Sequence, residues 1–247
     1  AHHYPDEYPM KVTIIETGLP PTELQAAWPR YPEMFKRLLQ PASSDLTFET
    51  TSPAIGDELP DPKNLNAILI TGSASGVYDT EPWMEPLFEF IRRAATARVP
   101  QFGICFGHQA MAQALGGKAE KSEKGWAIGR NTYTAINRTE WMGNIPSTFS
   151  LAASHQDQVT KAPPHTAIIA TSEFCELAGL TYNEVPAASL QPHPEFSAEY
   201  GSALHETRRD RIGSAHVERA LHSFKDPLDS RIIGDAMARF FLSHRSH

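Results

Sequence analysis

The chain is short of cysteine: its 247 residues carry two, Cys105 and Cys175. Two thiols cannot build the framework of bridges that holds a small secreted domain, so a buried core must supply the stability, and a reducing compartment is expected. No apolar run approaches the roughly 20 residues that a membrane helix needs. A basic excess is missing too. Lys and Arg number 22 against 29 Asp and Glu, a net charge of −7, which argues against nucleic acid as the main partner because phosphate binding needs a basic surface. The histidines show no H-E-x-x-H or similar ligand spacing, so no metal is expected, and no G-x-x-x-x-G-K-[ST] loop offers to cradle a nucleotide phosphate. Internal repeats and low-complexity tracts are absent. The opening stretch, AHHYPDEYPMK, has neither the basic segment nor the apolar run of a secretory signal. Together these absences point to the cytoplasm, with no membrane contact.

What is present suits one sizeable core, since hydrophobic residues make up 40% of the chain. KVTIIE (11–16) is a short β-branched run and reads as a buried strand. MFKRLLQ (34–40) reads as a helix ending before Pro41, and LTFETT (46–51) as a strand. NAILITG (66–72) is an apolar strand running into a glycine turn. PWMEPLFEFIRRAATAR (82–98) places Trp83, Leu87, Phe90 and Ile91 at helical spacing. PQFGI (100–104) reads as the next strand and 108–115 as a helix, which Gly116 and Gly117 stop. Strands and helices alternating in this way, with continuously apolar strands, predict an α/β fold: a mostly parallel sheet with helices on both faces. Between residues 126 and 191 the runs WAIGRNTYTAI, TFSLAAS, TAIIATS, LAGLTY and AASLQ leave little room for helices and predict an antiparallel extension. From 197 onward the pattern turns helical, with balanced charges rather than a basic arm. A single domain over 1–247 is expected, with a core at about 11–196 and a helical extension at 197–247.

Cys105 sits in PQFGICFGHQAMAQALGG (100–117), flanked two residues away on each side by Gly103 and Gly107. A nucleophile on a sharp strand-to-helix turn needs small residues at those positions, because the turn brings neighbouring backbone close. The same turn would set the thiol at a helix N-terminus, whose dipole favours a thiolate and whose free N–H groups can hold an oxyanion. The alternative is a small core residue, since unpaired cysteine is among the most buried types. Downstream, SLQPHPEF (189–196) offers His193 and Glu195 with a proline on each side of the histidine. Residues i and i+2 of an extended segment point the same way, so Glu195 can orient the imidazole. The preceding strand AASLQ would deliver both to the edge of a parallel sheet where the Cys105 turn lies. An incidental surface loop is the competing account of His193 and Glu195 taken alone. Taken with the elbow, they favour a Cys-His-Glu triad. Cys175 has no glycine turn and no nearby base and reads as structural; His108 reads as a helix-end residue.

GICFGHQAMAQALGG together with QPHPEF resembles the class I glutamine amidotransferases, over about residues 11–196. Within them it is most similar to stand-alone proteins that resemble the glutaminase half of guanosine monophosphate synthetase. The resemblance implies a three-layer, flavodoxin-like sandwich with Cys105, His193 and Glu195 as the catalytic triad. It also implies an oxyanion hole from the N–H of Phe106 and of Gly72 or Ser73, in the loop ITGSASGVYD (70–79). That loop reads Gly72-Ser73-Ala74, where the family more often has proline third. Gln109 matches the glutamine that contacts substrate, and ASHQDQV (153–159) matches a substrate-binding segment, which singles out Ser154, His155 and Gln156. KGWAIG (124–129) resembles a tryptophan-containing segment of the stand-alone branch. The implied reaction cleaves the glutamine side-chain amide through a γ-glutamyl thioester on Cys105 and releases ammonia, with no metal or cofactor. The implied small molecule is glutamine or a γ-glutamyl compound. Either a separate synthetase subunit receives the ammonia, or the chain is a γ-glutamyl peptide hydrolase. A more distant alternative is a DJ-1-like protein, which shares the cysteine elbow but has no distant His-Pro-Glu segment.

Overall fold

The computed structural model describes residues 9–245, so the opening stretch read for a leader lies largely outside it. Five parallel strands form its centre: β1 (Met10–Ile15), β2 (Leu46–Thr51), β3 (Ala67–Ile70), β4 (Gln101–Ile104) and, far along the chain, β11 (Ala187–Leu190). They lie in the order β2-β1-β3-β4-β11. Beyond β11 the sheet continues antiparallel through β10 (Gly179–Tyr182), β9 (Thr166–Thr171), β6 (Ala127–Ala135) and β7 (Thr148–His155). The parallel sheet, its antiparallel extension and the helices on both faces follow the expected architecture. A separate ribbon pairs β5 (Lys118–Lys121) with β8 (Asp157–Lys161), which the sequence patterns did not indicate. No described helix is long and apolar enough to cross a membrane.

The central strands are buried on both sides, and their period-two alternation divides two cores. Val12, Ile14, Leu69, Phe102 and Ile104 face one core, whose helices are α1 (Tyr31–Leu39) and α7 (Ser230–Ser243). Ile15, Ile68 and Ile70 face the other, built on α2 (Met84–Thr96) and α3 (Phe106–Ala114). The α1 helix starts at Tyr31 rather than 34 because Pro32 falls in its first turn, where a missing N–H costs nothing. The α3 helix starts at Phe106 rather than 108, directly against Cys105.

The tail divides in two. Helices α4 (Ala198–Thr207), α5 (Arg209–Ile212) and α6 (Ser214–Ser223) cluster with the antiparallel extension. There Gly129 has a φ of +76°, and a Cβ on it would stand 2.8 Å from Ala220 Cα, so α6 rests directly on β6. His205 Nε2 of α4 accepts the Gly129 N–H at 2.9 Å. The α7 helix instead inserts Phe240 and Phe241 against Phe102, with the Phe102–Phe240 rings edge to face at 5.3 Å. That arrangement makes α7 part of the main core rather than an appendage.

Candidate active site

Cys105 alone links β4 to α3, with φ 53° and ψ −105°. A non-glycine residue in that region stores about 1–3 kcal/mol of strain and persists where the surroundings over-determine it. They do so here. The Cys105 N–H donates to Leu190 O at 2.9 Å, and the Gln109 N–H closes on Cys105 O at 3.0 Å. A Cβ on Gly103 would stand 2.5 Å from the Gly107 carbonyl carbon, and one on Gly107 would stand 2.3 Å from Ile70 O. Glycine at both positions lets the start of α3 lie on β3 and β4. The cysteine is 5% exposed; Gln191 Nε2 donates to its Sγ at 3.4 Å, and Ser154 O lies 4.0 Å from it.

His193 reaches the same place from β11. Leu190 pairs in register with Ile104, so the chain after β11 leaves the sheet beside the Cys105 turn. The His193 N–H then donates to Ala152 O of β7 at 2.9 Å, which fixes the segment across the sheet edge. The imidazole stacks on Phe196, with ring centres 3.9 Å apart and planes 5° apart. Its Nδ1–H donates to Glu195 Oε2 at 3.1 Å, which in the neutral ring leaves Nε2 as the acceptor. Burial lowers the His193 pKa, but the Glu195 carboxylate and the Cys105 sulfur outweigh it and hold the imidazole at about 10. Gly72 packs against both partners: a Cβ there would stand 3.0 Å from His193 Cε1 and 3.7 Å from Cys105 Cβ. Cys105, His193, Glu195 and Gly72 line one cavity of about 300 Å³.

The Gly72 loop is held from behind by threonines rather than by a proline. Thr17 Oγ1 donates to Thr71 O at 2.9 Å and approaches Gly72 O at 3.1 Å, and the Thr17 N–H donates to Thr71 Oγ1 at 3.0 Å. In a trans peptide the N–H opposes the carbonyl, so the Gly72 and Ser73 N–H groups point away from Thr17. Gly72 and Ser73 both line the cavity, and Phe106 N–H, at the first position of α3, has no intrahelical acceptor. Thr17→Val is expected to destabilise the fold by about 1–3 kcal/mol, because it strands buried carbonyls, and to slow turnover. A denaturant midpoint alongside kcat/KM checks both.

The residues expected to meet substrate gather around an adjoining cavity, Ser154 lining both. Gln109, Ser154, His155 and Gln156 line a second cavity of about 350 Å³ that also reaches Cys105. Gln109 Nε2 donates to Asp157 O at 3.0 Å and to Gln191 Oε1 at 3.1 Å, so Gln109, Gln191 and the sulfur are joined in series. Gln191 was not singled out in the sequence, although it sits inside the QPHPEF segment. His155 Nδ1–H donates to Asp157 O, and burial lowers this imidazole to about 3, so it is neutral; its buried Nε2 has no partner among the described residues. His108 lies at a helix end, as its position suggests, but is not solvated there. It is fully buried in the first turn of α3, joining Ser189 Oγ at 2.7 Å to Leu177 O at 2.9 Å, and burial lowers it to about 4. Cys175 is buried and lines neither cavity; burial pushes its thiol up to about 12.

Two site residues carried no sequence signal. Arg208 and Arg211 project from the tail into both cavities, over the ring of Trp126 at 5.5 and 5.1 Å. Arg208 Nη1 donates to Ser154 Oγ at 2.7 Å. In the sequence they count only toward the charge balance of the tail, where nothing in the spacing distinguishes them from their neighbours.

The glutamine amidotransferase class-I family matches residues 35–206. A glutamine amidotransferase-like protein of Schizosaccharomyces pombe is 26% identical over 94% of this chain and 98% of its own length. A glutamine-hydrolyzing GMP synthase subunit of Methanopyrus kandleri is 37% identical over 43% of this chain and 57% of its own. Gamma-glutamyl peptidase 5 of Arabidopsis thaliana is 27% identical over 59% of this chain and 61% of its own. Among solved structures, a glutamine amidotransferase from Thermotoga maritima shares the fold, with a TM-score of 0.75 at 19% identity over 96% of this chain and 98% of that one. The match over most of the chain makes it a member of the class-I glutamine amidotransferase family.

Proposed function

We propose that the chain cleaves the γ-glutamyl C–N bond of glutamine or a γ-glutamyl compound through a thioester on Cys105, with residues 1–247 acting as one functional domain. The thiol proton rests on His193 Nε2, where Glu195 and the sulfur favour the imidazolium, and the thiolate adds to the amide carbon. The oxyanion is met by the Phe106 N–H and by that of Gly72 or Ser73. The imidazolium, oriented by Glu195, then gives its proton to the departing nitrogen as the C–N bond breaks. Water attacks the thioester, His193 takes its proton, and the second collapse restores the thiol and frees glutamate. No metal or redox cofactor enters this balance. A reducing compartment suits the free thiol, so the cytoplasm is the setting proposed.

The observation that carries this reading is the strained Cys105 on its glycine-flanked turn, sharing one cavity with a His193–Glu195 pair 3.1 Å apart. That pair also counts against a DJ-1-like protein, for which the elbow alone would serve. Relatives bearing the name of a GMP synthase subunit favour ammonia delivered to a separate synthetase, and those named gamma-glutamyl peptidase favour hydrolysis alone. The test is glutamate release from glutamine and from γ-glutamyl dipeptides, with acid-quenched protein weighed by intact mass for the γ-glutamyl adduct. Glutamate together with an adduct mapped to Cys105 supports the mechanism. Turnover with the adduct elsewhere, or no turnover of any γ-glutamyl compound, overturns it.

A further inference from the structure

The bond to be broken lies at Cys105, with the acyl group on one side and the departing nitrogen on the other. The group that protonates that nitrogen is His193, so the leaving amine occupies the His193 side. His193 lines the cavity of about 300 Å³ and not the adjoining one, where Gln109, Gln156 and Asp157 stand. Ammonia is the size of a water molecule, which needs only about 10–15 Å³. The space on the leaving-group side is far larger than that, and Tyr31, Phe196 and Leu204 give it apolar walls.

Arg208 and Arg211 line this cavity and the adjoining one alike, and their charge is as informative as the size of the space. Among the described residues, neither Arg208 nor Arg211 has a carboxylate within ion-pair distance, whereas Arg209 between them is paired with Glu206 at 2.5 Å and Glu218 at 2.7 Å. Carboxylates are thus at hand on these helices but do not engage the two arginines that face the cleft. Burial lowers the Arg208 pKa from its ordinary value, and the neighbouring Arg211 charge adds to that. Two acidic groups line the same cavity. Glu195 is committed to His193, and Glu23 is exposed at the rim. The fork of a guanidinium matches a carboxylate in shape and charge, and stacking on Trp126 holds both forks in place.

We propose that the leaving amine is an amino acid or short peptide, and that Arg208 and Arg211 bind its carboxylate as specificity-determining residues. The inference rests on the cysteine-hydrolase reading above and names the substrate class for it: γ-glutamyl peptides rather than glutamine.

The experiment compares γ-glutamylglycine, its carboxamide γ-glutamylglycinamide, γ-glutamylmethylamide and glutamine as substrates. The reading is the ratio of kcat/KM for the acid over the carboxamide within each protein. In the wild type this ratio is expected to be about tenfold or more, the usual worth of a charge-assisted hydrogen bond. In Arg211→Gln, which removes the guanidinium lying over Trp126, it should fall toward one, and Arg211→Lys should restore part of it. Arg208→Gln should lower the ratio too, with a thermal midpoint measured beside it because Arg208 also anchors Ser154. A wild-type ratio near one, a preference for glutamine, or a ratio unchanged in both glutamine variants overturns the inference while leaving the hydrolase reading in place. Failure to cleave any of the four substrates overturns the hydrolase reading instead.

Discussion

Replacing Cys105 by serine is expected to reduce γ-glutamyl cleavage by about 10³-fold or more while leaving the fold intact. On the proposed mechanism the sulfur forms and breaks the bond to the γ-carbonyl, and an alkoxide is far harder to generate at neutral pH than a thiolate. The structural cost is small. A serine hydroxyl in the same place inherits the Gln191 Nε2 donor now 3.4 Å from Sγ and the Ser154 carbonyl now 4.0 Å away. Its hydrogen-bonding needs are therefore met, and the change in stability should stay within about 1 kcal/mol. The left-handed backbone is imposed by the glycines and by the Leu190 and Gln109 contacts, not by the side chain, so the turn persists. Glutamate release, intact mass and a thermal midpoint on the same preparation check this. Serine protein that releases glutamate at the wild-type rate would remove Cys105 from the mechanism.

Much of the site could be read from the sequence because it depends on short-range rules. The spacing Gly103-x-Cys105-x-Gly107 encodes a close approach of backbones, and the approach is there, with Gly107 against Ile70. His193 and Glu195 meet because an extended, proline-stiffened segment must place i and i+2 on one side, and because β11 lies beside β4 in parallel register. The strand run at 66–72 was legible for a similar reason, since doubly buried segments of a parallel sheet are apolar throughout.

What could not be read depends on distant parts of the chain meeting. The β5–β8 ribbon joins two short polar strands whose pattern resembles that of a loop. His108 reads only as a helix end, and its burial appears once Ser189 and the Leu177 carbonyl, both far along the chain, close over it. Arg208 and Arg211 are ordinary surface arginines by composition, and only the packing of α4 and α6 on β6 and β7 brings them over Trp126 to the cleft. The tail was separable in the sequence from a core ending near 196. In the structure it supplies the second wall of the cleft. Through Phe240 and Phe241 of α7 it also supplies much of the aromatic packing around Phe102 that holds β4 beneath Cys105.

Glu195→Gln should lower kcat/KM by roughly 10²–10⁴-fold near pH 8 and draw the basic limb of its pH profile to lower pH. Burial alone would depress the His193 pKa; the Glu195 carboxylate and the Cys105 sulfur reverse that and hold it at about 10. An imidazole raised in this way is stabilised in its protonated form. Its contribution to folding stability is therefore complete below the ordinary value of 6.5 and is lost as pH rises through about 10. Glutamine keeps the shape and can still hydrogen-bond Nδ1, but it removes the charge and leaves burial largely unopposed, so His193 should titrate at lower pH. Less of the variant then holds the proton that the departing nitrogen needs, and the deficit should shrink as the solution is made more acidic. Glu195 Oε1 is already buried without a partner among the described residues, so an amide placed there gains no new acceptor to compensate. Histidine-selective isotope labelling, with the His193 signal followed by NMR across pH in both proteins, reads the shift directly. A His193 titration that stays in place while activity falls would assign Glu195 to ring orientation alone, and an unchanged rate and profile would remove it from the mechanism.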